Sequence, residues 1–523
     1  MKSTTVKNLI VLVLCSAIIL FVSGSYSEAA SYYVDSMNGN DNNTGLEQTS
    51  AWKTINKVNS INISPGDSVL FKRGGIWREQ LTVSSSGNSS GFITFSAYGM
   101  GNNPIIMGSN SIKGWVENNS KWTKDFSKRP RGVWFINKTG DIIWGAKRKS
   151  LDELINEYDW YWNSGILYIV IDGNPDEKFK SVEVSDREYC IGFNSGTRDN
   201  ICVSEFELLF AWRRGVVAGW DKTRQSKNWI IEKNIIHHIG DRIAELGDGI
   251  AYYALNATIR NNTIYEIGSH GVYLISYKSP CRNNVVEYNE IYNSYHTGID
   301  VMGYGGLLDN TTLRYNTIYN TDDFTKEGLN GRSTGMNGIY TSGVESPVIN
   351  VKIYNNLVFN TLSGGIHIGK KSYNINIHNN TVYKTRHSWS SPIYTTTEGP
   401  VTIKNNIGVN GKSGALKIYG SLENKTIDYN CWYQEQGSVI VFAGKDYANW
   451  EIYKNETKFD THSINKNPLF INPTVDLTSY DFQIQSNSPC KDNGTNTGLS
   501  RDYDGTPVPQ GNGYDIGAYE RKK

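Results

Sequence analysis

The sequence predicts an all-β fold, a single-stranded parallel β-helix, and three observations predict it. One phrase returns through the middle of the chain: Ile259-Arg-Asn-Asn262-Thr-Ile-Tyr265 followed by Gly271-Val-Tyr273-Leu, then Val286-Glu-Tyr-Asn289-Glu-Ile-Tyr292 followed by Gly298-Ile-Asp300-Val. Aligned on that phrase, asparagines stand at Asn234, Asn262, Asn289, Asn316, Asn356, Asn380, Asn406 and Asn430, at intervals of 28, 27, 27, 40, 24, 26 and 24 residues. This period is too short for a domain and too long for a hairpin, and it suits one coil of a solenoid. Between the asparagines lie short apolar–polar alternations, the pattern of half-buried strands, with glycine and asparagine at their ends.

The elements follow in order along the 523 residues. Residues 1–29 have the form of a signal peptide. Lys2 and Lys7 precede an apolar run from Leu9 to Val22, and small residues at Ser27 and Ala29 fit cleavage after Ala29. The expectation is therefore a secreted, extracellular protein with no membrane contact once the signal is removed. Residues 30–112 form an N-terminal cap and first coils. Ala51 to Val58 has the apolar spacing of a short helix, and Pro65 to Phe71 and Phe92 to Tyr98 alternate like strands. From 113 to 180 the rhythm breaks, and six of the 14 tryptophans fall there: Trp115, Trp122, Trp134, Trp144, Trp160 and Trp162. This stretch reads as an inserted β subdomain, with a hairpin turning at Asn163-Ser-Gly165. Its aromatics either pack a small core, the favoured reading, or grip sugar rings. Residues 181–442 carry the regular coils, in which the asparagines form an internal amide ladder beside apolar residues. Residues 443–523 form a C-terminal cap.

The opening segment, with Tyr33-Val-Asp35, Gly39-Asn-Asp41, Trp52-Lys-Thr-Ile55, Pro65-Gly-Asp67, Phe71-Lys-Arg-Gly-Gly75 and Tyr98-Gly, resembles that of secreted right-handed parallel β-helix proteins of the pectate-lyase-like superfamily. The resemblance implies right-handed coils and a carbohydrate-active setting. It does not fix a reaction, because that fold hosts hydrolases, lyases, epimerases and non-catalytic adhesins.

Charge excludes some partners. Lysines and arginines number 52 against 51 aspartates and glutamates, so no overall field favours nucleic acid or an anionic membrane. Five cysteines remain after processing, Cys190, Cys202, Cys281, Cys431 and Cys490. Their scatter argues against a disulfide framework, with Cys190 and Cys202 the only nearby pair.

The second half of the repeat carries the chemistry. Gly249-Ile-Ala251, Gly271-Val-Tyr273, Gly298-Ile-Asp300, Gly338-Ile-Tyr340, Gly365-Ile-His367 and Pro392-Ile-Tyr394 are strands whose Ile or Val points inward. The next residue points outward, so Ala251, Tyr273, Asp300, Tyr340, His367 and Tyr394 are expected to form one exposed column. Tyrosines suit sugar rings, and a carboxylate among them can move protons. From ladder asparagine to strand glycine the gap is nine residues after Asn262, Asn289 and Asn356, but 15 after Asn234 and 22 after Asn316. Two insertions therefore bracket the coils bearing His270, Tyr273 and Asp300, and bring Asp241, Glu245, Asp248, Asp322, Asp323, Glu327 and Arg332 to that edge.

Glycosidic hydrolysis uses two carboxyl groups. Asp300 is the first choice and Asp248 the second, two coils apart, so that their side chains have to converge. Glu245, Asp322 and Asp323 are alternative partners. Lyase chemistry calls on His270, Tyr273, Tyr340 and His367 as acid and base, with Arg332 or Lys370 meeting a uronate carboxylate. The column holds no Lys/Arg pair, and Arg213 and Arg214 lie two coils before the bracketed section. The catalytic candidates are thus Asp300, Asp248, His270 and Glu245, and the substrate-binding candidates are Tyr273, Tyr340, His367, Tyr394, Arg332 and Lys370. No metal ligand set is assigned and no cofactor is required. Calcium has two incomplete candidate loops, at Asp502-Tyr-Asp504-Gly and Asn38 to Asn43. His237-His238 reads as structural. A polysaccharide or oligosaccharide is the expected partner. Hydrolase, lyase and non-catalytic carbohydrate-binding protein all stay open, in that order.

Overall fold

The computed structural model describes residues 29–193, 195–219, 225–241, 247–321, 336–476 and 479–522. The signal-peptide reading, Glu245, Asp322, Asp323, Glu327 and Arg332 lie outside the described residues. Three long sheets of 13, 12 and 11 strands, almost wholly parallel, run the length of the molecule, each built by taking one strand from every coil. Interior positions repeat in register: Ile231, Ile259, Val286, Leu313, Ile353, Ile377, Ile403 and Ile427 stack coil on coil and are buried. No coil covers its own apolar face, so each is stabilised by its neighbours.

The ladder asparagines form one continuous buried line. Each side-chain Nδ2 donates to the Oδ1 of the next, from Asn234 to Asn262, Asn289, Asn316, Asn356, Asn380, Asn406 and Asn430, at 2.9–3.1 Å. The residue before each one is left-handed, with φ between 49° and 58°: Lys233, Asn261, Tyr288, Tyr315, Asn355, Asn379, Asn405 and Tyr429. This corner turns the chain from one sheet to the next in two residues, and the amide beside it satisfies carbonyls that the turn would leave unpaired. A second ladder runs outside, from Asn310 through Asn283, Asn256 and Asn228 to Asn200 at 2.8–3.0 Å.

The strand glycines have a steric reason. A Cβ on Gly271 would lie 2.4 Å from Ile291 Cγ2 and 2.7 Å from the Gly298 carbonyl, and one on Gly298 would meet Ile318 and Gly338 in the same way. Interior isoleucines of a neighbouring sheet occupy the space.

A short helix, Ile55–Ser60, is capped by the Thr54 hydroxyl and buries Ile55 and Val58 against the first coil. Residues 109–185 form two sheets of four and five strands, antiparallel except where Ala146–Lys147 runs parallel to Asp159–Asn163. Asp159–Asn163 pairs with Ile166–Ile169 across a two-residue turn, with Ser164 at φ 49° and Gly165 at φ 88°, as expected for the favoured hairpin turn. The tryptophans are core. Trp115 and Trp160 are buried with Trp122 and Trp162 packed on them, while Trp134 and Trp144 dock the subdomain on the helix through Phe210 and His238.

The C-terminal region differs from a simple end plug. The helix Trp450–Thr457 closes the last coil by laying Tyr453 on Phe442. Residues 467–522 instead turn back along the flank, where Arg501, Gly517 and Thr495 carbonyls accept from Asn355, Asn379 and Asn405. These outward asparagines are the left-handed corner residues themselves. The candidate calcium loops are occupied by protein donors. Asp502 accepts the backbone N–H groups of Thr506 and Glu520, and Asp41 those of Lys53 and Thr54. All five described cysteines are free thiols, and Cys190 and Cys202 lie in different sheets. Among the described residues no helix is long and apolar enough to cross a membrane.

The flank segment gives a pH prediction. Burial pushes the Glu520 carboxyl up to about 7, with Asp515 and Asp502 adding repulsion against the backbone N–H bonds it accepts. A carboxyl that holds its proton more tightly when folded supports folding fully below its ordinary value of 4.5 and loses that support as pH rises through about 7. Stability is expected to rise by roughly 1–2 kcal/mol from pH 8 to pH 5.5, discounted for partial solvent screening. Denaturant titrations of wild type and Glu520→Gln check it: the stability change between the two pH values differs between the proteins by this amount, since the shifted histidines His270, His296 and His367 contribute alike to both.

Candidate active site

Strand pairing places Ala251, Tyr273, Asp300, Tyr340, His367 and Tyr394 in one column, as the glycine alignment predicts, and extends it to Lys417. The column is not exposed. Ala251 and Asp300 have no accessible surface, and Tyr273, Tyr340, His367 and Tyr394 are half-buried. The reason is a second apolar layer on this outer face, where Tyr189, Val217, Ala251, Tyr253 and Ile275 are buried and Tyr273, Tyr277, Met302 and Tyr304 pack on them. His367 lies between the rings of Tyr340 and Tyr394, 4.8 and 4.3 Å away, and burial pushes its pKa down to about 3. It is a neutral, packed ring. Lys370 sits on an exposed turn two coils beyond Asp300 and offers its carbonyl to Gly343. Lys417 adds a single basic residue to the column, opposite Tyr394. Buried under Tyr394 and Tyr419, it donates to the Trp389 carbonyl and the Ser413 hydroxyl.

The chemistry concentrates three residues back along the same strands, where Arg214 pairs with Asp248 and His270 with Thr297. Asp248 and Asp300 do converge, and they do so on one imidazole. His270 Nδ1 is 2.9 Å from Asp248 Oδ1, and His270 Nε2 is 3.2 Å from Asp300 Oδ2. The Arg214 guanidinium, placed by the preceding coil, lies 3.5 Å from Asp248 Oδ2 and donates to the Tyr253 hydroxyl at 2.9 Å. Arg214 lies two coils before His270, as expected, and reaches it through Asp248 on the coil between them. Its coil directly precedes that of Asp248. The His270 ring stacks on Tyr273 at 4.3 Å.

This line of alternating charge, Arg214, Asp248, His270 and Asp300, is almost wholly buried. Arg214 is 4 %, Asp248 7 % and Asp300 0 % exposed. Burying ions costs several kcal/mol each, so the fold alone gives no reason for it. Burial works to neutralise His270, but its bonds to Asp248 and Asp300 and their charges outweigh this and bring its pKa up to about 9. Burial raises the Asp300 pKa, and the His270 contact pulls against that. Neither Asp300 oxygen accepts a well-aligned hydrogen bond.

His296 completes the cluster. Its ring is 4.7 Å from that of His270, its Nδ1 is 3.1 Å from the Thr297 hydroxyl, and burial together with the His270 charge pushes its pKa down to about 3. The glycine alignment sets His270 opposite Thr297 and leaves His296 one residue out of phase, so the repeat hides it. His237 and His238 are elsewhere, buried against Tyr265 and Trp144.

Asp241 opens the loop that ends at Asp248, and Lys147 lies within reach of its charge. A Cβ on Gly247 would lie 2.5 Å from Gly240 Cα, so the two ends of the 240–247 loop are pressed together. Asp241 and Asp248 each follow one of these glycines, and both are buried.

Comparisons with known proteins fit this architecture. The family model described as "Right handed beta helix region" matches residues 168–334. A lacto-N-biosidase of Bifidobacterium longum subsp. longum is 38% identical over 106 residues, 19% of this chain and 6% of that protein, so the match spans only a small part of the relative. Among solved structures, the complex of XylC with xylose superposes over 94% of this chain and 99% of that one, with TM-score 0.56 and 14% identity. A structure titled "Glycoside hydrolase" covers 83% and 99%, with TM-score 0.50 and 12% identity. At such identities the likeness is one of fold, and it runs through nearly the whole length of the chain. The chain therefore has the fold of a right-handed parallel β-helix.

Proposed function

We propose that this chain is a secreted glycoside hydrolase, cleaving glycosidic bonds of an oligosaccharide or polysaccharide at the edge carrying Asp248. The observation that carries the reading is the anchoring of one carboxylate between Arg214 and His270, beside a loop neck that brings up a second, Asp241. Acid and base carboxyls in different surroundings are what this hydrolysis requires. Asp248 is the group that meets substrate. Asp300 has no accessible surface and acts through His270, so it is a positioning residue. Tyr273 and Tyr340 supply aromatic surface along the same face. The 38% identity to a lacto-N-biosidase supports the class of reaction and leaves the sugar open.

The test incubates the protein without residues 1–29 with neutral and uronate-containing glycans, following both new reducing ends and ultraviolet absorbance of unsaturated products. Reducing ends without absorbance are expected. Reducing ends with absorbance mean elimination, and neither signal on any substrate leaves a binding protein; both outcomes overturn the proposal. On a substrate that is cleaved, Asp300→Asn is expected to lower kcat by about 10–100-fold with KM nearly unchanged, as loss of an orienting partner does. An unchanged kcat removes Asp300 from the site.

A further inference from the structure

We propose that His270, His296 and Asp300 bind one transition-metal ion of the zinc and cobalt class. The inference concerns side chains of the same site and goes beyond the hydrolase reading, and its binding test reads no activity, so the two can fail separately. One ligand atom from each of the three side chains lies within 4.8 Å of the others. Donors ~2.0–2.2 Å from a common ion stand about 3–3.5 Å apart, so small side-chain rotations close the set.

Each member is prepared for the role. His270 is held at Nδ1 by Asp248, which turns Nε2 toward Asp300, 3.2 Å away. A carboxylate on the far nitrogen is the usual second partner of a metal-bound histidine, fixing its tautomer and orientation. His296 is held in the same way at Nδ1 by the Thr297 hydroxyl, leaving Nε2 for the ion. Asp300 is the independent sign of a ligand. Fully buried, it meets His270 Nε2 at 3.2 Å without good hydrogen-bond alignment at either oxygen, so the carboxylate keeps acceptor capacity that a bound cation would use.

Two imidazoles and one carboxylate select zinc, cobalt, nickel or copper over calcium and magnesium, which prefer oxygen donors. His270 and His296 keep partial exposure, so a solvent molecule can take a remaining position, the pattern of three protein ligands plus an open site.

The experiment uses the whole chain without residues 1–29, freed of metal by a chelator and dialysed. Co2+ is added while visible d–d absorption is read, and Zn2+ binding is measured calorimetrically. One ion per chain is expected, with Zn2+ displacing Co2+ and millimolar Ca2+ displacing neither. His296→Gln should weaken Zn2+ binding at least 100-fold, and His296→Cys should add a sulfur-to-cobalt charge-transfer band. His462→Asn, which removes a surface histidine paired with Asp428, should leave both readouts unchanged. Absence of saturable binding, wild-type affinity in a folded His296→Gln, no new band in a folded His296→Cys that still binds Co2+, or loss of binding in His462→Asn overturns the proposal.

Discussion

Asp248→Asn is expected to lower kcat about 10²–10⁴-fold on any glycan the wild type cleaves, the range for removing a positioned acid or base. The amide is nearly the same shape and keeps an acceptor for His270, so the packing around Tyr253 and Tyr273 is retained. What changes is charge and proton transfer. Asparagine neither carries the negative charge that balances Arg214 and His270 nor passes a proton to or from substrate. Because Arg214 is almost wholly buried and also meets the Tyr253 hydroxyl and Glu188, losing the Asp248 charge has a structural cost as well, for a buried cation with fewer partners is destabilised. The kinetic loss is therefore measured beside a denaturation curve, and the prediction concerns kcat of folded enzyme. An Asp248→Asn protein that folds and retains wild-type kcat would remove Asp248 from the chemistry and leave the Arg214–Asp248–His270–Asp300 line a structural feature. The companion variant Asp241→Asn separates the two carboxyls: if Asp241 is the second catalytic group, it too loses rate in that range, and unchanged rates exclude it.

The fold was legible because a solenoid writes its geometry into the sequence at a fixed period. Every coil must supply an inward Ile or Val, an amide for the corner and a glycine where a neighbouring sheet presses in, so Asn262, Asn289, Gly271 and Gly298 recur for reasons that each coil repeats. The site was legible in part. Alignment of the glycines named Asp300, His270 and Tyr273, and loop length pointed to Asp248. It failed where a side chain escapes the period. His296 is out of phase with the repeat, and Arg214 reaches Asp248 because strand pairing brings coils together that the sequence separates by 34 residues. Alternation also predicts two faces only, inward and outward. It carries no information about an outer apolar layer such as Tyr253, Ile275 and Met302. The same limit applies to the chain's end, where a turn back along the flank and a plug over the last coil share one local pattern of short strands and turns.

Asn289→Ala is expected to destabilise the protein by about 3–5 kcal/mol, more than loss of one ordinary hydrogen bond of ~1 kcal/mol. Asn289 Nδ2 donates to the Ile259 and Glu287 carbonyls and to Asn316 Oδ1, while its Oδ1 accepts from Asn262 N and Nδ2. Truncation removes all of these at a position with about 2 % exposure, so the groups left behind have no water to replace it. Each buried donor or acceptor without a partner costs roughly 1–3 kcal/mol. The damage does not stay local: stability in stacked coils depends on nearest-neighbour interfaces, and Asn289 lies in the middle of the ladder, so both interfaces of its coil weaken. Asn289→Asp should be at least as harmful, because it replaces the donor to Asn316 Oδ1 with an acceptor and buries a charge. The outer ladder provides the contrast. Asn256 is exposed and left-handed at φ 56°, bonded to Asn228 and Asn283 at 3.0 Å. Glycine accepts that conformation, and water replaces the lost amide bonds, so Asn256→Gly should shift stability by less than about 1 kcal/mol. Denaturant midpoints of the three variants decide the matter. Equal effects at Asn289 and Asn256 would mean that the inner ladder is a consequence of coil stacking and not a cause of it.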